Sequence, residues 1–310
     1  MSSPVKFLNL LVLFTLSLYS CNRVNEHNPQ PESVPIEVVQ IVKDAFPDAV
    51  DLVFKPIVAQ QIWNANFNST GKRYSTVVDQ NRLLSASELL DMPVPDSLRQ
   101  AVLQTSFAGG QFSNFRSMPS IQGDPLHFLA EYEWKGQNFT IKWFPYQAPQ
   151  LKYLIMINRA TVSEFYLYTT DILPQTIKDF LAIQHSTLKT GVQVNVAHNG
   201  TKTYGIGSKT SDPGTYNLIF DDSGNLVYSY MDKVDYYNHL SDYPPEIQNF
   251  VSKNADYNGF EFFWGIRFED GTKSGYRLDL TKNGKAEENL HLYFNDKGML
   301  TDQKYNANIR

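Results

Sequence analysis

The chain is short of several things that chemistry commonly needs. It holds one cysteine, Cys21, in 310 residues. A lone cysteine excludes an intramolecular disulfide framework and a multi-cysteine zinc site. Positive charge is outweighed: 27 Lys and Arg against 32 Asp and Glu leave a net charge of -5. That balance argues against a broad basic surface, so no nucleic-acid partner is expected. None of the histidines (His27, His127, His185, His198, His239 and His291) forms a His-x-His or His-Glu-x-x-His pattern. There is no Gly-x-Ser-x-Gly elbow. No metal, no cofactor and no catalytic residue is therefore expected. What is present is ample core material, with 42% hydrophobic and 14% aromatic residues.

The one pronounced apolar run is at the start. Lys6 precedes Phe7 to Tyr19, which ends in Leu18-Tyr19-Ser20-Cys21. A basic start, a short apolar core and a small residue before the cut describe a secretory signal over residues 1–20. The run is shorter than the ~20 residues a membrane span needs. Leu-x-Ser-Cys resembles the lipobox of bacterial lipoproteins. That resemblance implies cleavage before Cys21 and a lipid on its thiol, hence a membrane partner through an N-terminal anchor. The implied address is the cell envelope, lipid-anchored at the outer membrane, with the periplasmic or surface-facing side left open. Residues 21–33 carry prolines and no apolar periodicity, and read as a flexible tether.

From residue 34 one phrase recurs: an apolar residue, Pro, two residues, then an aliphatic. The copies are Val34-Pro35…Val38, Val94-Pro95…Leu98, Leu173-Pro174…Ile177 and Tyr243-Pro244…Ile247. Apolar residues then continue at helical spacing, as in Val38, Ile41, Val42 and Ala45. Proline suits a helix start, where its missing N–H would be unpaired anyway. Behind each helix the period becomes two, the mark of strands with one buried face. Phe260, Phe262, Trp264, Ile266 and Phe268 alternate with more polar neighbours; so do Leu278 and Leu280, and Leu290, Leu292 and Phe294. A closing phrase is shared as well. Phe220-Asp221-Asp222-Ser223-Gly224-Asn225-Leu226 matches Phe294-Asn295-Asp296-Lys297-Gly298-Met299-Leu300, and Val78-Asp79-Gln80-Asn81-Arg82-Leu83 fits with Asn in the glycine position. Gly and Asn accept the positive φ of a tight hairpin. The pattern predicts an α+β chain of tandem modules, each one helix packed on a four-stranded antiparallel sheet. Their spans are residues 34–92, 93–171, 172–241 and 242–310. Units this small have thin cores, so neighbours are expected to pack together.

Apolar-Pro at a helix start, then strands, then Phe-Asp-x-x-Gly-x-Leu, resembles the PepSY-like lipoproteins. These are related in fold to the beta-lactamase inhibitor protein. The first copy also carries the family's Phe-Pro-x-Ala step as Phe46-Pro47-Asp48-Ala49. The resemblance spans residues 34–310 and implies export, helix-on-sheet modules and non-catalytic binding through an open sheet face.

Two segments invite chemical readings and have plainer ones. Gly205 to Thr210 looks faintly like a phosphate loop without its spacing, and reads as a strand end. Asp221-Asp222 lacks the distal acidic ligand of a calcium hand and reads as turn chemistry. The alternation assigns faces instead. With Phe262, Trp264, Leu278 and Leu292 under the helix, Phe263, Arg267, Arg277, Asp279, His291 and Tyr293 project from the other side as a candidate binding face. Aromatics mixed with arginine are the composition of interface centres. In the second copy Ala130, Tyr132 and Trp134 face the core, while Glu131, Glu133, Lys142 and Lys152 face out. The expected function is a non-catalytic envelope lipoprotein that binds a protein or peptide through open sheet faces, and by fold analogy an inhibitor of a secreted hydrolase. The alternative is a glycan-binding lipoprotein. It would need exposed aromatics, whereas most of Trp63, Trp134, Trp143 and Trp264 fall on the buried phase.

Overall fold

A computed structural model describes residues 34–119, 126–145, 151–183, 191–207, 218–230, 233–270, 273–284 and 286–310. The signal, Cys21 and the tether lie outside the described residues. Residues 34–310 form one compact unit.

Apolar-Pro does open helices. Pro35, Pro95 and Pro244 are N-caps with φ near −55° and ψ of 142° to 147°, leading into α1 (Ile36–Ala45), α2 (Asp96–Val102) and α4 (Pro245–Lys253). Pro174 stands directly before α3 (Gln175–Ile183), and its carbonyl accepts from the Ile177 and Lys178 amides. Each helix is too short to be stable alone, so tertiary burial of one face must hold it. Val38 and Val42 of α1 are fully buried against Trp63, Ala65, Phe67 and Val78. Burial of such a side chain stabilises by roughly 2 kcal/mol.

Strands follow each helix. They are β1 (Val50–Val58), β2 (Ile62–Ser69), β3 (Lys72–Asp79) and β4 (Leu83–Leu89) after α1, and β5 (Gln111–Met118), β6 (His127–Trp134), β7 (Gln137–Pro145), β8 (Tyr153–Arg159) and β9 (Thr161–Leu167) after α2. After α3 come β10 (Val192–Ala197), β11 (Lys202–Ile206), β12 (Leu218–Phe220), β13 (Leu226–Ser229) and β14 (Lys233–Tyr237). After α4 come β15 (Glu261–Asp270), β16 (Lys273–Asn283), β17 (Ala286–Asn295) and β18 (Leu300–Ile309). They do not remain as four separate four-stranded sheets. One antiparallel sheet of thirteen strands runs β1-β2-β3-β4-β5-β6-β7-β8-β18-β17-β16-β15-β14, and a second of five runs β13-β12-β11-β10-β9. Joining edge to edge removes the exposed strand edges that separate sheets would present.

The joins are specific. β18 pairs with β8 from Lys304–Asn158 to Ile309–Tyr153. This brings α2 and α4 over one continuous core that holds Leu98, Val102, Trp143, Ile155, Ile247, Leu278, Leu292 and Ala307. The buried Glu288 carboxylate ties the halves together, accepting from Tyr305 Oη at 2.6 Å and from the Ser106 amide at 2.7 Å. α3 packs Ile177 and Leu181 on the smaller sheet, in a cluster that also takes in Ile62, Val77 and Leu84 of β2, β3 and β4.

The shared closing phrase builds the same hairpin twice. Asp221 Oδ1 accepts from the amides of Ser223 and Asn225, and Asn295 Oδ1 from those of Lys297 and Met299. Gly224 and Gly298 follow at φ +77° and +73°, and both lie against the first turn of the preceding helix, where a Cβ would meet Thr176 or Glu246. Asp79 Oδ1 makes the equivalent bonds to Asn81 and Arg82, but Asn81 does not adopt positive φ. The phrase there is one residue shorter, so the turn closes without a left-handed position.

Candidate functional site

The candidate face of β16 and β17 is where the two sheets meet. On β16, Leu278 and Leu280 go to the helix side, so Arg277 and Asp279 go to the other. Tyr293 and His291 stand opposite them on β17. The face is covered rather than open. Ile219 of β12 and Tyr228 of β13 pack on Ile266, Phe268 and Tyr293. The side chains of Arg277 and Asp279 are only 14% and 5% exposed, and Tyr293 is buried.

At the centre Arg277 Nε and Nη2 each donate to Asp279 at 2.8 Å, a bidentate pair along one strand. Arg277 Nη1 donates to Tyr228 Oη at 3.3 Å, which links β16 to the smaller sheet. The guanidinium carbon lies 4.9 Å from the Trp264 ring centre, 5.6 Å from Tyr228 and 5.8 Å from Tyr293, a partial aromatic cage. His291 Nδ1 sits 3.0 Å from Asp279 Oδ2, and its Nε2 3.3 Å from Asn306 Nδ2. A proton on Nδ1 would donate to Asp279 and a bare Nε2 would accept from Asn306, with Arg277 Nη2 also 3.3 Å from Nδ1.

Burial pushes the Asp279 carboxyl up, but hydrogen bonds from His291 and Arg277 outweigh it and hold the group below its ordinary value. Burial disfavours charge on Arg277, yet Tyr293 and Asp279 overcome this and raise the guanidinium. Burial pushes the Tyr228 phenol up to about 12. A permanently charged arginine with its donors committed clamps two sheets together.

A second polar pair lies in the same layer. Lys142 of β7, 5% exposed, bonds Glu164 of β9, whose other oxygen accepts from Gln193 Nε2 at 2.7 Å. Burial pushes Glu164 up, while the charge and hydrogen bond of Lys142 outweigh it, and the carboxyl lies below its ordinary value. Lys142 thus points away from the helix side, as the alternation requires, but it is buried there under β9 instead of facing solvent. Thr140 Oγ1 accepts from the Thr161 amide at 2.9 Å beside it.

Phe263 and Arg267 leave this group. The register of β15 against β16 shifts between Phe262 and Trp264, which pair with Leu280 and Asp279 in turn. A bulge adds one residue and reverses every later side chain on that strand. Trp264, Ile266 and Phe268 therefore share the face of Arg277 and Asp279, not the helix side. Arg267 turns to the helix side, opposite Tyr276, with Asp235 at 3.5 Å and Glu269 at 3.6 Å. Phe263 stands at the bulge, 64% exposed. Trp264 and Glu164 belong to the polar layer and were not among the expected face residues. A signal for Glu164 exists: β9 alternates Ser163, Phe165 and Leu167 with Glu164 and Tyr166.

β14 is the outer strand of the large sheet, and among the described residues no strand pairs its free edge. Tyr236 on it is 61% exposed, and its hydroxyl is 2.6 Å from that of Tyr230. Trp63, Trp134 and Trp143 are buried. Among the described residues no group of three His, Cys, Asp or Glu side chains could hold a metal ion, and no helix is long and apolar enough to cross a membrane.

No family model and no curated protein matches the chain. Among solved structures it is similar to a DUF2874 family protein from Bacteroides uniformis ATCC 8492, at 16% identity over 36% of this chain and 83% of that one, with a TM-score of 0.32. It is also similar to a BLIP-like protein from Bacteroides fragilis NCTC 9343, at 13% identity over 38% of this chain and 83% of that one, with a TM-score of 0.31.

Proposed function

We propose that the chain is a non-catalytic lipoprotein of the cell envelope, anchored through Cys21, that binds a protein partner along the outer edge of its large sheet. Its residues 34–310 are read as PepSY-like helix-and-strand modules fused into shared sheets. The observation that carries the binding reading is the β14–β15 edge. A free strand edge offers unpaired backbone groups for an added strand. Exposed Tyr236 and Phe263, with half-buried Arg267 four residues beyond Phe263 on β15, supply aromatic and arginine anchors beside it. The candidate face supports the reading differently: Arg277 and Asp279 of β16 adjoin β15 in the same sheet, with the Arg277 guanidinium over Trp264 of β15. An extended peptide is the expected ligand form, and inhibition of a secreted hydrolase is one outcome such docking would have. The glycan alternative finds less support, because three of four tryptophans are buried.

The test is affinity capture from envelope extracts with the parent protein and a Tyr236→Asp/Phe263→Asp variant. A protein retained by the parent and lost by the variant supports the edge. Equal retention by both overturns it.

A further inference from the structure

The join made by β18 carries polar side chains on the face opposite α2 and α4. Lys304 of β18 stands opposite His291 of β17 on one side and opposite Asn158 of β8 on the other. Asn306, two residues further along β18, is therefore the diagonal neighbour of both His291 and Asn158. Two oxygens in this group lack a donor. Among the described residues neither Asn306 Oδ1 nor Asn158 Oδ1, both buried, makes a hydrogen bond. Buried polar atoms are paired in the great majority of cases, so two unpaired neighbours call for an explanation. Lys304 does not supply one: its ammonium is 5.9 Å from the ring centre of Tyr293 on β17 and gives Asn158 no hydrogen bond.

One rotation accounts for both atoms. With Asn306 Nδ2 toward His291 Nε2 at 3.3 Å, that ring nitrogen must be bare, and Oδ1 is left over. A half-turn of the carboxamide exchanges its two ends and leaves its shape unchanged. Oδ1 then faces Nε2, and Nδ2 takes the place of Oδ1, with Asn158 Oδ1 as the unpaired acceptor on the next strand. That arrangement needs a proton on Nε2. Nδ1 lies 3.0 Å from Asp279 Oδ2, and only a protonated Nδ1 is attracted to that carboxylate. His291 thus carries one proton in the first arrangement and two in the second. Asp279 supplies the countercharge, since its carboxyl lies below its ordinary value. The other charged and titratable groups around the ring are Arg277 on β16, Asp302 and Lys304 on β18, Tyr293 on β17 and Tyr228 on β13. By their sign Arg277 and Lys304 oppose a second proton, while Asp279 and Asp302 favour it.

We propose that His291 and Asn306 form a proton-operated latch across the β18 join: a second proton on His291 turns the Asn306 carboxamide, which then ties β17 to β8 over β18. The latch is open with neutral His291 and closed with the imidazolium. It goes beyond the edge-binding function and does not depend on it.

Side-chain NMR of the isotope-labelled parent protein tests the latch between about pH 8 and pH 5, the range in which an imidazole exchanges its proton. At the alkaline end the His291 Nε2 signal should be that of a bare nitrogen, and the Asn306 amide protons should show cross-peaks to the ring. At the acid end Nε2 should give the signal of a protonated nitrogen, and the Asn306 cross-peaks should pass to Asn158, with one midpoint for both changes. Asn306→Leu removes both ends of the amide and gives a second reading by urea unfolding. The acceptor for the second proton exists only in the folded parent, so its stabilisation is present where His291 is charged and is lost as pH rises. The parent's urea midpoint should therefore exceed that of the variant by more at pH 6 than at pH 8. If the variant does not fold, the spectra of the parent decide alone. His291 and Asn306 signals that fail to change together, an unchanged Nε2 over the whole range, or an equal gap in urea midpoint at both pH values would each overturn the latch.

Discussion

Replacing Asp279 by alanine tests the account of the sheet-to-sheet clamp most directly. Arg277 cannot lose its charge, and burial leaves it little water. Its two 2.8 Å bonds to Asp279 are its closest compensation. Removing one partner of a buried pair costs about 3–5 kcal/mol, because the other charge stays behind without a counter-ion. The aromatic rings at 4.9 to 5.8 Å should return part of this, as a desolvated cation–π contact is worth about 2 kcal/mol. A net loss of about 2 kcal/mol is expected, or roughly 4–8 °C in Tm for a chain of this size. The loss should be specific to stranding the charge. An Arg277→Met/Asp279→Leu variant removes both charges, keeps approximate volume and should recover most of the stability. Urea unfolding followed by Trp fluorescence measures both, since Trp264 stacks over the guanidinium. If Asp279→Ala unfolds within about 0.5 kcal/mol of the parent, or if the double variant is no better than the single, the clamp is not what holds these sheets together.

Other outcomes follow from the same geometry. Gly265→Ala should destabilise the fold by about 2 kcal/mol or more, because the new Cβ would sit 1.6 Å from Tyr243 Oη and displace the hydroxyl that donates to the Arg277 carbonyl at 2.7 Å; thermal unfolding would show it. Lys142→Met should cost about 3 kcal/mol at pH 7 by leaving Glu164 buried without its cation, and should cost much less at pH 3 where that carboxyl can take up a proton. Both Asp279 and Glu164 are held below their ordinary values, so their stabilisation is complete above the unfolded value of about 4 and is lost as pH falls through the folded one; urea midpoints for the parent should drop between pH 5 and pH 2, and a flat profile would contradict this. Cys21→Ser should release the protein from the membrane fraction on cell fractionation, whereas retention would remove the lipid-anchor reading.

The sequence was most informative where one residue type has one use. Proline before an aliphatic at four places marked four helix starts, since few other positions tolerate the missing N–H. The Asp-x-x-Gly and Asn-x-x-Gly phrases marked two hairpins, because a side-chain carbonyl closing the turn and a positive φ leave little choice. Alternation told inside from outside on β16 and β17. It failed on β15, where Phe260, Phe262 and Trp264 keep an unbroken period while the backbone inserts Phe263 as an extra residue. An aromatic suits either face, so nothing in the composition exposes the shift. Alternation also names a face without saying what covers it. Lys142 and Arg277 look like solvent-facing cations because their partners, Glu164 and Tyr228, arrive from strands of another sheet.

The position of β18 bears on how the chain reaches this state. It lies between β8 and β17, so two halves of the thirteen-stranded sheet have no backbone bonds to each other until it is in place. During synthesis β1 to β8 can assemble early, but the edge of β8 must wait for roughly 140 further residues. That edge is a row of unsatisfied donors and acceptors flanked by Ile155 and Ile157. Closing so distant a contact is slow, because loop entropy is lost before any pairing rewards it. An exported chain would carry this open edge through its most aggregation-prone interval, and the last hairpin, Asn295 to Leu300, is what ends it.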